Sequence, residues 1–312
     1  MRLLKTKNKM TQKFGIIALV GAPNAGKSTL TNALLGQKIS IVSPKVQTTR
    51  NVIKAILVEG ETQLVLLDTP GVFLPRSDKI LERLIVKSAW QGIRDAHFIA
   101  FLIDAERGLD EENLRIIKEL KKNDFKPAII INKVDLVKKV KLLDVIKSLT
   151  EIGLEDIFMI SATTHDGLPQ LKEFLLKKCA EGPWAYHEDD ITDAPMRGIA
   201  SEITREKLFL HLNEELPYSL TVKTDSYEVL HNGSIKIHQT IFVLKDSQKG
   251  IILGKNGALI KEIGMQAREE IGEIAGAKVS LFLFVKVKKD WMNDLESYEM
   301  NDLGKLPKKK IK

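Results

Sequence analysis

Through the first 180 residues, short apolar runs alternate with segments whose apolar residues fall at helical spacing. Phe14–Val20 is a continuous apolar run that predicts a buried strand, and Thr29–Leu35 reads as a helix. Val52–Val58 and Gln63–Leu67 predict two strands, joined by the short Glu59–Thr62 turn into a hairpin. His97–Ile103 predicts a strand, Glu111–Leu120 a helix, and Pro127–Ile131 and Ile157–Ile160 two more strands. This alternation predicts an α/β domain over residues 14–180. Periodicity then stops. Glu181–Asp193 holds five acidic groups, no basic ones and a Gly182-Pro183 break, which marks an acidic linker over 181–195.

Beyond the linker the pattern changes. Met196–Leu212 predicts a helix ended by Pro217, and Leu220–Leu230 and Ile235–Leu244 predict a hairpin about the Asn232-Gly233 turn. A short helix over Ser247–Leu253, a Gly254-Lys-Asn-Gly257 loop, a long helix from Ala258 and a strand over Val279–Val287 follow. The order αββααβ predicts a smaller α+β domain over 196–295. Residues 1–13 and 296–312 are left as basic extensions.

Composition adds little to this picture. Apolar residues make up 44% of the chain and charged ones 29%, ordinary for a globular protein. No stretch approaches the roughly 18 apolar residues of a membrane span, and the N-terminus has charge without an apolar core, so the expectation is a cytoplasmic protein. The single cysteine, Cys179, has no intrachain partner and no metal-ligand spacing around it, which predicts a buried, inert thiol. The net charge of +7 resides in the ends: residues 1–13 and 303–312 carry five basic and no acidic groups each, leaving residues 14–302 at −3. Such ends suit a phosphate backbone or an acidic membrane surface, and equally a solvated tail.

The chemistry concentrates after the first strand, in Gly21-Ala-Pro-Asn-Ala-Gly-Lys-Ser28. Between a strand and a helix, such a loop wraps a phosphate with backbone N–H groups at the positive end of the helix dipole. Lys27 is placed to reach the terminal phosphates and the Ser28 hydroxyl to hold Mg²⁺. About 40 residues on, Asp68-Thr-Pro-Gly71 ends a strand. Asp68 is positioned to reach Mg²⁺ through a water, and Gly71 offers an N–H to a γ-phosphate with no side chain in the way. Asn132-Lys-Val-Asp135 ends a later strand, at the sheet edge where ligands bind. The Asp135 carboxylate only accepts hydrogen bonds and matches the two donors on one edge of guanine. Asn132 braces the loop, and the Lys133 stem covers a face of the base. In Ser161-Ala-Thr163 the Ala162 N–H is the candidate donor to the guanine carbonyl.

In the second domain, Gly254-Lys255-Asn256-Gly257 lies between two helices, where exposed N–H groups can meet phosphates. Lys255 adds charge, Lys249 and Lys261 extend it into a basic strip, and Ile251, Ile252 and Leu253 either line a base-binding groove or pack the domain.

The ordered motifs of the first domain resemble those of translation-factor-like GTPases, which implies an α/β P-loop GTPase fold. The second domain resembles a type II KH domain, whose loop clamps about four unpaired nucleotides. Together with Gln37–Arg50 and Asp246–Gly250, this arrangement is similar to the Era family of bacterial ribosome-assembly GTPases. The resemblance implies slow hydrolysis of GTP to GDP, with Lys27, Thr49 and Gly71 as catalytic groups and Ser28, Thr49 and Asp68 around Mg²⁺. It implies nucleotide contacts across residues 21–28, 68–72, 132–135 and 161–163. Val72 stands where Ras-type enzymes carry the glutamine that orients water, and Asn24 matches the position that binds K⁺ in related GTPases. The implied partners are the 3′ end of small-subunit (16S) ribosomal RNA and the small ribosomal subunit, with peripheral attachment to the inner membrane and a monomeric chain. A signalling or membrane-surface GTPase whose KH-like module binds protein remains the alternative.

Overall fold

The computed structural model describes residues 11–45, 48–71 and 80–293. The first ten residues of the basic N-terminal extension, Val72 and the whole 296–312 tail lie outside the described residues.

The apolar run after Gln12 forms β1 (Lys13–Gly21), buried on both faces from Ile17 onward. It is followed by α1 (Lys27–Leu35), the hairpin β2 (Ile53–Glu59) and β3 (Thr62–Asp68), α2 (Ile80–Asp95), β4 (Phe98–Asp104) and α3 (Glu111–Lys122). β5 (Ala128–Asn132), α4 (Lys139–Glu151), β6 (Ile157–Met159) and α5 (Leu168–Lys177) complete the alternation. The strand order is β2-β3-β1-β4-β5-β6, parallel except for the β2–β3 hairpin. Helices cover both faces, each over its own apolar cluster. α2 shows why such helices form: Leu81, Ile85, Ala89 and Ile93 recur every fourth position and are all buried. All the candidate loops of this domain therefore emerge along the carboxyl edge of one sheet.

Cys179 is buried above Gly15, where a Cβ would come within 2.6 Å of its sulfur. Burial pushes the thiol up to about 11, so it stays protonated and unreactive at neutral pH.

The acidic segment after α5 is irregular apart from β7 (Ala180–Glu181), which pairs antiparallel with the start of β1. The segment is nonetheless fastened to the hairpin. The buried Gln63 side chain accepts from the N–H groups of Ala185 and Tyr186 and donates to the Tyr186 carbonyl, and Ile56 N–H donates to Ile191 O.

The second domain follows as α6 (Met196–His211), β8 (Leu220–Val229), β9 (Ile235–Val243), α7 (Asp246–Leu253), α8 (Ala258–Ala275) and β10 (Val279–Val287). Its sheet runs β10-β9-β8, with β9 parallel to β10 and antiparallel to β8. Trp291, 2% exposed, wedges between the domains with Met292, against Leu81 and Ile85 of α2 and Phe242 and Leu244 of the second domain. No helix among the described residues is long and apolar enough to cross a membrane.

Candidate nucleotide and RNA sites

The phosphate loop bounds a cleft of about 310 Å³ lined by Pro23, Asn24 and Gly26–Thr29, by Ile41–Pro44, Thr48 and Thr49, and by Gly71 and Lys133. Lys27 is almost fully buried, and its ammonium folds back to donate to the carbonyls of Gly21 (3.1 Å) and Ala22 (2.9 Å). Burial lowers its pKa to about 8, with Asp68 pulling the other way. A cation drawn so far out of water is primed for an anionic ligand. Gly26 and Gly71 are required by space. A Cβ would come 2.2 Å from Asn132 Nδ2 at the first and 2.8 Å from Pro23 at the second.

Asp68 is fully buried, and neither carboxylate oxygen finds a hydrogen-bond partner among the described residues. Burial pushes its pKa up, while the Ser28 hydroxyl and the Lys27 ammonium offset part of that effect. The Ser28 and Thr49 hydroxyls lie 2.9 Å apart. An orphaned carboxylate beside two hydroxyls is an all-oxygen donor set, and it fits Mg²⁺. Thr69 Oγ1 donates to Leu19 O at 2.6 Å, which pins the Asp68–Gly71 turn to β1, and Pro70 continues that turn.

Asn132 joins three loops. Its Nδ2 donates to Ala25 O (2.9 Å) in the phosphate loop, and its Oδ1 accepts from Ala162 N–H (3.0 Å). The expected brace is present, and it already engages the amide expected for the base. A guanine carbonyl at Ala162 would share that hydrogen with Asn132. Val134 N–H donates to Ile160 O, and Thr164 N–H to the buried Ser161 hydroxyl, so the two base-side loops are tied together. Lys133 takes a left-handed backbone, and its ammonium pairs with Asp104 at 2.6 Å, which lays the stem along the cleft. Asp104 was not singled out in the sequence, although it ends β4 as Asn132 ends β5. Asp135 and Thr163 are exposed at the outer side of this edge.

Asn24 also has a left-handed backbone, and its Nδ2 donates to Pro44 O at 2.8 Å. That bond shapes the loop and leaves Oδ1 as the atom suited to a cation.

In the second domain three of the four residues of Gly254–Gly257 have positive φ: Gly254 (69°), Asn256 (52°) and Gly257 (76°). Asparagine tolerates that region better than most residues. At Gly254 a Cβ would meet Leu259 Cβ at 2.8 Å. Lys255 and Lys261 are exposed and Lys249 half-buried, one on each side of the loop and one within it. The apolar trio divides: Ile252 is core, Leu253 half-buried and Ile251 56% exposed. Beside the loop lies a cleft between α8 and β10, lined by Ile260, Lys261, Met265, Arg268 and Leu281–Phe284. Phe282 and Phe284 are about half exposed, and both rings lie against His238. The sequence hid these residues because Leu281–Val285 is apolar throughout, so alternation does not mark the free face.

Comparison with known proteins agrees with this geometry. The sequence model of a family described as 50S ribosome-binding GTPase matches residues 16–133, and that of the KH domain matches 215–292. GTPase Era of Bradyrhizobium sp. (strain ORS 278) is 50% identical over 285 residues, covering 91% of this chain and 92% of the relative. The chain belongs to the Era family of GTPases. Era from Agrobacterium fabrum is 48% identical, over 93% of this chain and 92% of its own. Two crystal structures superpose with a TM-score of 0.88 at 38% identity, over 93% of this chain and 98% of theirs. One is Era in complex with MgGDPNP and nucleotides 1506–1542 of 16S ribosomal RNA, the other a point variant of Aquifex aeolicus Era bound to GDP·AlF4⁻. As a member of the Era family, the chain is a GTP-hydrolysing enzyme with a P-loop domain followed by a KH domain.

Proposed function

We propose that this Era-family GTPase is a nucleotide switch that binds the 3′ end region of 16S ribosomal RNA through its KH domain and assists small-subunit assembly in the cytoplasm. One observation carries the switch. Thr49 faces Ser28 in the nucleotide cleft, while the next residue, Arg50, is buried against the KH domain. Arg50 Nη1 donates to Leu220 O at 3.0 Å, and its guanidinium lies 5.6 Å from the Trp291 ring. A group that senses Mg²⁺·GTP and a group that holds the other domain are thus neighbours in sequence.

In this reading Gly21–Ser28 wraps the phosphates, Lys27 meets their charge, and Ser28, Thr49 and Asp68 would hold Mg²⁺, which when bound would neutralise phosphate charge. Gly71 presents its N–H to the γ-phosphate, while Thr69 and Pro70 shape that loop. Asn132–Asp135 and Ser161–Thr163 hold and read guanine. Valine at 72 cannot orient water, so unaided hydrolysis is slow. We assign Asn24 Oδ1 as a K⁺ ligand; equal turnover in K⁺ and Na⁺ buffers would end that assignment. Gly254–Gly257 with Lys249 and Lys261 clamps the RNA backbone, and the basic ends suit an acidic membrane surface.

The test is RNA binding by Lys255→Asp/Asn256→Asp. Loss of affinity for a 16S 3′-end oligonucleotide, with a wild-type affinity that falls steeply with salt, supports the RNA reading. Unchanged, salt-insensitive binding would favour a KH module that serves a protein partner.

A further inference from the structure

We propose that Arg205 and Glu206, on the first helix of the KH domain, are positioning residues for the nucleotide site of the GTPase domain. The inference rests on Mg²⁺ being held by Ser28, Thr49 and Asp68.

One wall of the nucleotide cleft is formed by Ile41–Pro44, Thr48 and Thr49. That wall has little regular structure of its own, so what fixes it is what it touches. Its contacts to the phosphate loop are Pro44 O to Asn24 and Thr49 to Ser28. Among the described residues its other hydrogen-bonded anchors come from α6. Glu206, 2% exposed, accepts the Val42 N–H on Oε1 at 2.6 Å, and its Oε2 takes the Lys38 ammonium at 2.5 Å. Arg205, 1% exposed, donates from Nη2 to the carbonyl of Thr48 at 2.5 Å. The two anchored backbone groups bracket the stretch over the cleft, and the second lies one residue before Thr49.

The residue types suit this task. An anchor on a backbone N–H or C=O fixes the path of the main chain whatever the side chains do. Arg205 is three residues from Glu202 on the same helix, and its Nε donates to Glu202 Oε1 at 2.9 Å while Nη2 meets Oε2. The planar fork thereby satisfies its own counter-ion and reaches across the domain boundary at once, which a lysine cannot do with the same geometry. Its face packs 5.1 Å from the Phe209 ring. Glu206 likewise serves both domains, since Lys207 on its own helix lies 3.6 Å from Oε2. Both charges are buried and paired with an opposite charge, and of their polar atoms Arg205 Nη1 lacks a hydrogen-bond partner among the described residues.

The consequence is that α6 sets where Thr49 sits relative to Ser28 and Asp68. Affinity for Mg²⁺-bound triphosphate therefore depends on the KH domain, and by linkage triphosphate binding changes how firmly that domain is held.

The experiment uses the full chain with Arg205→Gln, Arg205→Lys, Glu206→Ala and Glu206→Gln. Binding of a fluorescent non-hydrolysable GTP analogue is titrated over Mg²⁺ concentration, GDP binding is measured in EDTA, and amide exchange over residues 42–49 is followed without nucleotide. Arg205→Gln and Glu206→Ala should raise the Mg²⁺ concentration for half-maximal analogue affinity about tenfold. GDP affinity in EDTA should stay within about twofold, because the phosphate-loop and base contacts are untouched. Glu206→Ala should also speed exchange of the Val42 amide. Arg205→Lys should be intermediate, and Glu206→Gln keeps the shape and one acceptor, so it reports even where Arg205→Gln unfolds. An unchanged Mg²⁺ dependence in folded variants overturns the proposal, as does an equal fall of GDP affinity in EDTA, which would mean a merely structural role. Wild-type binding with no Mg²⁺ dependence would overturn the metal reading itself, and the proposal with it.

Discussion

Replacing Asn132 by alanine tests the geometry of the nucleotide site through a single side chain. The amide is 2% exposed and makes two hydrogen bonds, both to backbone: Nδ2 to Ala25 O and Oδ1 from Ala162 N–H. Alanine leaves both backbone groups buried without a partner. Each such loss costs about 1–3 kcal/mol, so the variant should lose roughly 2–4 kcal/mol after water or small shifts recover part of it. For a domain of this size about 1 kcal/mol moves Tm by about 2–4 °C, giving a fall of roughly 5–15 °C. Asn132→Asp separates charge from shape. It keeps the acceptor for Ala162 but sets a carboxylate oxygen against the Ala25 carbonyl, so it should be less stable than alanine at neutral pH. Urea unfolding of the nucleotide-free protein, with GDP affinity alongside, measures both. A loss under about 1 kcal/mol for alanine, or an aspartate variant more stable than alanine, would refute the account of this brace.

Other outcomes follow from single sites. Asp135→Ala should abolish discrimination of guanine from adenine nucleotides, a selectivity that hydrogen-bonding sites carry at about 10⁴-fold; competition binding with ATP reads it. Gly254→Ala puts a Cβ 2.8 Å from Leu259 at a φ of 69°, so it should weaken RNA binding while leaving GTP turnover without RNA unchanged. Lys27 gives a pH signature. Its folded pKa of about 8 lies below the unfolded value of 10.5, so between these limits the unfolded chain holds more protons and stability rises with pH. The difference in unfolding free energy between wild type and Lys27→Met, measured by urea unfolding without nucleotide, should therefore shift in favour of wild type from pH 8 to 10 by about 2 kcal/mol. Bound GDP should remove that dependence.

Much of this was legible in the sequence because it is local. Val279–Val287 is a strand over the span its apolar run predicts, and the hairpin turns at Glu59–Thr62 and His231–Ser234 fall where their polar residues are. The phosphate loop announces itself through glycines that space requires. What stayed hidden depends on acceptors that leave no trace in composition. A backbone carbonyl such as Thr48 O is invisible in a sequence, so nothing marked Arg205 as its donor, 157 residues away. Gln63 reads as an ordinary strand residue, yet its amide clamps Ala185 and Tyr186. Ala162 carried the opposite lesson. Its motif was found, but its N–H already serves Asn132, because a brace and a base-reading amide occupy the same edge.

In the switch proposed above, the nucleotide cleft and the Gly254–Gly257 loop of the KH domain answer to each other. Anisotropy of a labelled 16S 3′-end RNA, measured with GDP and with a non-hydrolysable GTP analogue at one salt concentration, addresses it most directly. Tighter RNA binding with the analogue, abolished by Lys255→Asp/Asn256→Asp, is the result predicted. Equal affinity in both nucleotide states would contradict it and leave two modules that share a chain without sharing a switch.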